Sequence, residues 1–118
     1  MARDRRRFRR ILEEMEVRYR TTAEMLGEFW RAARILDLSA GGLRIETEGL
    51  LEGGEILELH VRLAGLRDPL ILRGRVVWSA PRSQGFSEHG IEFFDLTHQE
   101  QGRIDEFVQF LRRSPEAP

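Results

Sequence analysis

Residues 57–63 read LELHVRL, an unbroken alternation of aliphatic and polar side chains. Successive side chains of a strand point to opposite faces, so this alternation predicts a β-strand with one buried face and one solvent-facing face. The same period of two recurs over residues 15–22, 43–47 and 69–79. These four segments indicate a fold built from half-buried strands.

Two further strands are predicted from composition. Residues 29–38 are rich in aromatic and aliphatic side chains, and residues 90–94 follow a loop at 80–87 that is rich in Pro, Ser and Gly. Within the fifth strand we interpret Gly74 as a bulge or bend. Trp78 shares the alternating face of that strand with aliphatic residues, which favours core packing, and we expect Trp30 in the core as well.

The period changes near the C-terminal end. Thr97 and Glu100 have the spacing of a capping box, and the apolar residues that follow fit one face of a helix over 98–113. Six short strands and one amphipathic helix predict a mainly β fold, a six-stranded antiparallel β-barrel with the helix packed against it. The apolar positions of the helix are Ile104, Phe107, Val108 and Leu111.

Charge is distributed unevenly along the 118 residues. All 19 basic residues are Arg, and residues 1–10 hold six of them beside one Asp, a net charge of +5. The remaining residues carry −6, so the formal net charge of −1 combines a basic arm with an acidic body. We expect three parts: a flexible arginine-rich arm at 1–10, a single domain at 11–113 and a disordered tail at 114–118.

Composition argues against several classes of protein. The absence of Cys excludes disulfides and thiolate metal sites. The hydropathy pattern indicates neither a secretory signal nor a membrane-spanning segment, so we expect a cytoplasmic protein. His60, His89 and His98 lack the spacing of a metal site, and we interpret them as surface residues. No arrangement of nucleophile, base and acid is recognisable, so we expect neither an enzyme nor a bound metal or cofactor.

Two segments carry binding chemistry. The first is RRRFRR at residues 5–10, in which Arg6 and Arg10 are four apart. A guanidinium group binds phosphate through two hydrogen bonds, pairs with the O6 and N7 edge of guanine, and stacks on purine faces. A solvated basic terminus would explain this segment equally well.

The second segment is DLSAGG at residues 37–42, in the turn between two strands. Asp37 can accept hydrogen bonds from the N1 and N2 donors of guanine, the Ser39 hydroxyl can contact a phosphate or a base, and Gly42 can admit a close ligand. A purely structural turn, in which Asp and Ser bond nearby backbone N–H groups and Gly takes a positive φ, remains the alternative. Together the two segments offer what a guanine nucleotide requires.

The order of these motifs resembles the PilZ domain family, the bacterial receptor domain for cyclic di-GMP. The resemblance runs from about residue 5 to residue 111 and includes the arm, the DLSAGGL turn at 37–43 and the GIEF strand at 90–93. It implies a barrel of the split-barrel type, in which Arg6 and Arg10 bind phosphates and guanine faces. It further implies that Asp37 and Ser39 contact guanine while Gly42 shapes the turn, with Gly41 as a weaker candidate.

Several details of the arm stay open. Arg5 and Arg9 form an alternative pair, although Arg6 and Arg10 agree better with the family because Arg10 directly precedes Ile11. By resemblance, an additional Arg before the pair is associated with a stacked dimer of the ligand, so Arg5 favours that stoichiometry with Arg7 assisting. Trp78 is a further candidate for stacking on a base, second to its expected core position.

We therefore expect a cyclic di-GMP sensor in bacterial second-messenger signalling whose arm closes over the ligand and alters the surface offered to an effector protein. The chain is compatible with a monomer or a homodimer. One alternative is a degenerate PilZ-like module that only mediates protein contacts. Another is a non-specific nucleic-acid binder that uses the arm, which the acidic body disfavours because it would repel a polyanion.

Overall fold

The computed structural model of the chain describes residues 15–21, 29–62 and 68–113, with side chains to residue 109. Six strands precede one helix. The strands are β1 Glu16–Thr21, β2 Arg31–Ser39, β3 Gly42–Glu48, β4 Ile56–Arg62, β5 Leu70–Pro81 and β6 Phe86–Phe94, and the helix is α1 His98–Arg113.

The strands form a closed antiparallel barrel in the order β1-β2-β3-β6-β5-β4. This confirms the predicted six-stranded barrel with a C-terminal helix. Closure occurs between β1 and β4, where Val17 pairs with Val61 and Tyr19 with Leu59. Each strand therefore has a hydrogen-bonded neighbour on both sides over part of its length. The arm at 1–10 and the tail at 114–118 lie outside the described residues.

The barrel interior is filled by the inward-facing side chains, which alternate with outward-facing ones along the strands. Leu57, Leu59 and Val61 are buried as the LELHVRL pattern predicted. Helix α1 covers the core with Ile104, Phe107 and Val108, also as predicted, whereas the side chain of Leu111 is outside the described part. The remaining apolar core residues are Met15, Val17, Tyr19, Ile35, Leu38, Leu43, Ile45, Leu70, Leu72, Val76, Ile91 and Phe93.

The helix begins as its sequence predicts. The backbone N–H of Glu100 donates to Thr97 Oγ1 at 3.1 Å, and the backbone N–H of Thr97 donates to the Glu100 carboxylate at 2.9 Å. This reciprocal pair satisfies donors that the first turn of a helix cannot bond internally. Gln101 then anchors the helix to the β2–β3 turn, because its side-chain Nε2 donates to the backbone oxygen of Ala40 at 3.1 Å.

Strand β6 is longer than predicted. It begins at Phe86 instead of residue 90, and β5 extends to Pro81, so the loop expected at 80–87 shrinks to residues 82–85. The inward-facing residues Ser87 and His89 are polar, which removes the hydrophobic alternation that would have marked the strand. The short turn instead depends on positive φ angles at Gln84 and Gly85.

Gly74 was misinterpreted as a bulge. It lies in regular pairing with Leu57 on one side and Phe93 on the other. Its hydrogen points into the barrel, where a Cβ would come within 2.4 Å of Ile91 Cγ2 and 3.1 Å of Leu59 Cδ1. The residue is glycine because the core leaves no room for a side chain there.

Trp30 is also placed differently from expectation. It is half-buried outside the core, with the Arg20 guanidinium 4.4 Å from its ring centroid and the His60 ring centroid 5.7 Å away. Arg20 in turn donates to Glu58 from Nε at 3.2 Å and from NH2 at 2.7 Å. An aromatic face over a cation is a stable surface arrangement, so the indole does not require the core.

Candidate functional site

A row of four residues crosses the outer face of the barrel on four adjacent strands. Asp37 of β2 pairs with Arg44 of β3, Arg44 pairs with Gly90 of β6, and Gly90 pairs with Trp78 of β5. The register therefore places an acid, a cation, a glycine without a side chain and an aromatic ring side by side. We call this set the transverse row.

Two β-bulges direct the end members of the row outward. The register shifts between Ile35 and Asp37 in β2, and between Val76 and Trp78 in β5. Each shift inserts one extra residue, so the residue after it faces the opposite side from the one that strict alternation would assign. Without the bulges, Asp37 and Trp78 would point into the barrel.

Trp78 is consequently not a core residue, which corrects the sequence prediction. Its side chain is 42% exposed, whereas Leu70, Leu72 and Val76 of the same strand are buried. The indole lies against Gly90, where a Cβ would stand 2.1 Å from Nε1. Strict alternation failed at this point because the inserted residue, Val77, is not recognisable in a run of strand-forming residues.

The β2–β3 turn holds its own polar groups. The backbone N–H of Leu38 donates to Asp37 Oδ1 at 2.9 Å, and the Ser39 hydroxyl donates to the backbone oxygen of Gly42 at 3.2 Å. The backbone oxygen of Gly41 accepts from the N–H of Phe93 at 2.9 Å, which connects the turn to β6. Within the described part of the chain, the second oxygen of Asp37 takes no hydrogen bond.

Gly42 has a structural reason that the sequence did not reveal. Neither Gly41 nor Gly42 has a positive φ, so that part of the purely structural explanation of the turn is wrong. A Cβ on Gly42 would stand 2.0 Å from the backbone oxygen of Ile91, whereas one on Gly41 would meet nothing within 4 Å. Gly42 thus allows β3 and β6 to approach closely and fixes the turn relative to the groove.

The row lies in an open groove with a volume of about 430 Å³, within the range of roughly 300–1,000 Å³ typical of small-molecule sites. It brings together Asp37, Ser39, Gly41, Gly42 and Trp78, five of the residues proposed from the sequence. Sequence reasoning missed Arg44, Val77 and Glu92. The residues that line the groove are Asp37, Leu38, Ser39, Gly41, Gly42, Leu43, Arg44, Val77, Trp78, Gly90, Ile91 and Glu92.

Arg44 was detectable in principle. It is the outward-facing member of the β3 alternation directly after the glycine turn, which places it opposite the segment that contains Asp37. It is exposed and forms no ion pair with any residue that the structure describes. The arm residues proposed from the sequence, Arg5, Arg6, Arg7, Arg9 and Arg10, lie outside the described residues.

The three histidines are not alike. His60 and His98 are at least partly exposed, but His89 is 0% exposed, so its prediction as a surface residue was wrong. It contacts Thr47 and Ser79 through its two ring nitrogens, at 2.9 Å each, and desolvation lowers its pKa below the ordinary value, partly opposed by Glu55. The described residues contain no cluster of His, Asp and Glu suited to a metal.

A closed six-stranded antiparallel barrel with a C-terminal helix defines a small, mainly β domain, and an open groove lies on its outer face. Residues 4–110 match the PilZ domain, and the chain belongs to that family. PilZ is a ligand-binding domain, and its ligand is cyclic di-GMP. Comparison with curated proteins finds no match. Of the helices within the described segments, none has the length and apolar character needed to cross a membrane.

Proposed function

We propose that this chain binds cyclic di-GMP in the groove and acts as a sensor in second-messenger signalling. The observation that carries the proposal is the transverse row, because it puts Asp37, Arg44 and Trp78 on one face beside the backbone of Gly90. A guanine nucleotide offers hydrogen-bond donors, an anionic phosphate and a flat aromatic face. Each of these has a matching group in the row.

Guanine recognition is assigned to the two ends of the row. The Asp37 carboxylate accepts from the guanine N1 and N2 donors, a contact that adenine cannot make. Trp78 offers an exposed ring on which a base can stack, and stacking contributes about 1–3 kcal/mol per base. The Ser39 hydroxyl donates to Gly42 and retains lone pairs that can accept from the base.

Phosphate recognition is assigned to arginines. Arg44 supplies a guanidinium from the barrel itself, between Asp37 and Gly90 in the row. The arm supplies further guanidinium groups, with Arg6 and Arg10 as the gripping pair and Arg5 and Arg7 assisting. Charge-assisted hydrogen bonds of this kind contribute roughly 1.5–3 kcal/mol each. Arg5 favours binding of a stacked ligand dimer.

The signalling step follows from charge. The arm carries +5, so its arginines repel one another until the ligand phosphates neutralise them. Binding then closes the arm over the groove and changes the surface offered to an effector protein. This mechanism requires no catalysis and no cofactor besides the ligand.

Calorimetric titration with cyclic di-GMP, GMP and cyclic di-AMP tests the proposal. We expect cyclic di-GMP to bind much more tightly than the other two, with a stoichiometry of two ligands per chain. Binding of cyclic di-GMP no tighter than of GMP would contradict it and favour a degenerate module. Equal binding of all three ligands and of nucleic acid, with a steep salt dependence, would indicate a non-specific polyanion binder.

A further inference from the structure

The structure assigns His89 and Ser79 a role as positioning residues that hold Trp78 on the groove side of the barrel. Neither residue lines the groove. Both act through the register of β5, whose bulge precedes Trp78. The consequence for ligand binding rests on the proposed function, whereas the effect on Trp78 itself does not.

His89 is the centre of a buried polar network. Its Nδ1 is 2.9 Å from Ser79 Oγ, and its Nε2 is 2.9 Å from Thr47 Oγ1. The Ser79 hydroxyl also donates to the backbone oxygen of Leu51 at 2.7 Å. One imidazole ring therefore connects β6 with β3, with β5 and, through Ser79, with the loop that follows β3.

The donors and acceptors define one tautomer. Ser79 has a single hydroxyl proton, and its bond to Leu51 uses that proton, so His89 Nδ1–H must donate to Ser79 Oγ. The other nitrogen, Nε2, then carries no proton and accepts from the Thr47 hydroxyl at 2.9 Å, a shorter contact than the 3.5 Å from that hydroxyl to the backbone oxygen of Gly49. Both ring nitrogens are satisfied, which a fully buried imidazole requires.

The contact between His89 and Ser79 exists only in the bulged register. With the bulge, Trp78 pairs with Gly90 and Ser79 pairs with His89. Removing the bulge would shift β5 by one residue, so Trp78 would pair with His89 and face the barrel interior. Ser79 would then face outward, and the buried His89 Nδ1 would lose its acceptor.

An unsatisfied buried donor is unfavourable, so the hydrogen bond selects the register that exposes Trp78. Gly90 supports the same register from outside, because its missing side chain makes room for the indole. The inner bond at Ser79 and the outer contact at Gly90 thus act on consecutive residue pairs of the β5–β6 ladder. The hydrogen bond between His89 and Ser79 fixes the direction of Trp78, and Gly90 leaves room for its ring.

Acrylamide quenching of Trp78 fluorescence tests this inference in the full chain, with Trp30→Phe as the background so that one indole reports. Ser79→Ala removes the acceptor of His89 Nδ1. We expect weaker quenching, a blue-shifted emission as the ring turns inward, and a loss of cyclic di-GMP affinity of about tenfold, the equivalent of one hydrogen bond. Ser79→Thr retains the hydroxyl and should restore the parental quenching and affinity.

Thr47→Val provides the matched control. It removes a hydrogen bond of the same length from the other nitrogen of the same ring, but on β3 and away from the bulge. We expect a lower denaturation midpoint with unchanged Trp78 quenching. The inference is overturned if Ser79→Ala leaves quenching unchanged, or if Thr47→Val alters it equally. If the parent binds no cyclic di-GMP, the proposed function fails while the quenching comparison still decides the role of Ser79.

Discussion

The indole of Trp78 lies directly over Gly90, so closely that a Cβ on Gly90 would stand 2.1 Å from Nε1 and 2.6 Å from Cδ1 and Cε2. Gly90 does not have a positive φ, so its backbone would accept other residues. The glycine is required by the ring and not by the chain conformation. The position of the Trp78 ring in the groove therefore depends on the absence of a side chain at Gly90 of β6.

Gly90→Ala should weaken ligand binding without preventing folding. The added methyl group displaces the indole from β6, which disrupts the base-stacking surface, and we expect about a tenfold loss of cyclic di-GMP affinity, part of the roughly 1–3 kcal/mol that stacking contributes. Calorimetry measures the affinity, and circular dichroism verifies the fold. Gly53→Ala is the control, because a Cβ there meets nothing within 4 Å. Equal affinity in both variants would show that the ring position is unimportant.

Asp37→Asn should reduce discrimination between guanine and adenine. The amide replaces one acceptor oxygen by a donor, which opposes the N1 and N2 donors of guanine, and we expect a loss of about 2 kcal/mol, or roughly 30-fold in affinity. Competition between cyclic di-GMP and cyclic di-AMP measures the change in preference. Asp68→Asn is the control, because it removes the same negative charge at an exposed position outside the groove. A preference that survives Asp37→Asn would remove this residue from guanine recognition.

Gly42→Ala should lower the stability of the barrel. Its Cβ would stand 2.0 Å from the backbone oxygen of Ile91, and backbone on paired strands cannot move aside as a flexible side chain can. We expect a loss of roughly 1–3 kcal/mol in the free energy of unfolding, typical of overpacking. Urea denaturation measures it against Gly53→Ala. A urea denaturation midpoint of Gly42→Ala equal to that of the parent would show that β3 and β6 can move apart without loss of stability.

Most of the fold could be predicted because its signals are local. The alternation of β4 and the capping box of α1 each depend on residues only a few positions apart, and both are found in the structure. Strand β6 was predicted too short because Ser87 and His89 face the interior, and their partners come from other strands. A polar residue in a core becomes predictable only when its distant partner is known.

The lining of the groove could be predicted in part. Asp37, Ser39 and the glycines of the turn were proposed as site residues from their chemistry and their order along the chain, and the structure places them together in the groove. Trp78 was predicted to be in the core because strict alternation of side chains does not detect an inserted residue. A bulge reverses the side-chain direction of the residues that follow it in the strand. Arg44 was missed because its position next to Asp37 is a matter of register between strands.

The stability of the protein should fall as the pH is lowered below about 6.5, because desolvation holds the native pKa of His89 below that ordinary value. In this range the unfolded chain binds a proton at His89 and the native state does not, so each lower pH favours unfolding. The decrease begins near 6.5 and ends at the native pKa, with a slope of at most about 1.4 kcal/mol per pH unit. Urea denaturation between pH 7.5 and 5.5 measures this slope.

Two variants test whether His89 is the source of the slope. His89→Gln should remove the slope, whereas His98→Gln, a change at an exposed position of the helix, should retain it. A slope that persists in His89→Gln would assign the pH dependence to other groups.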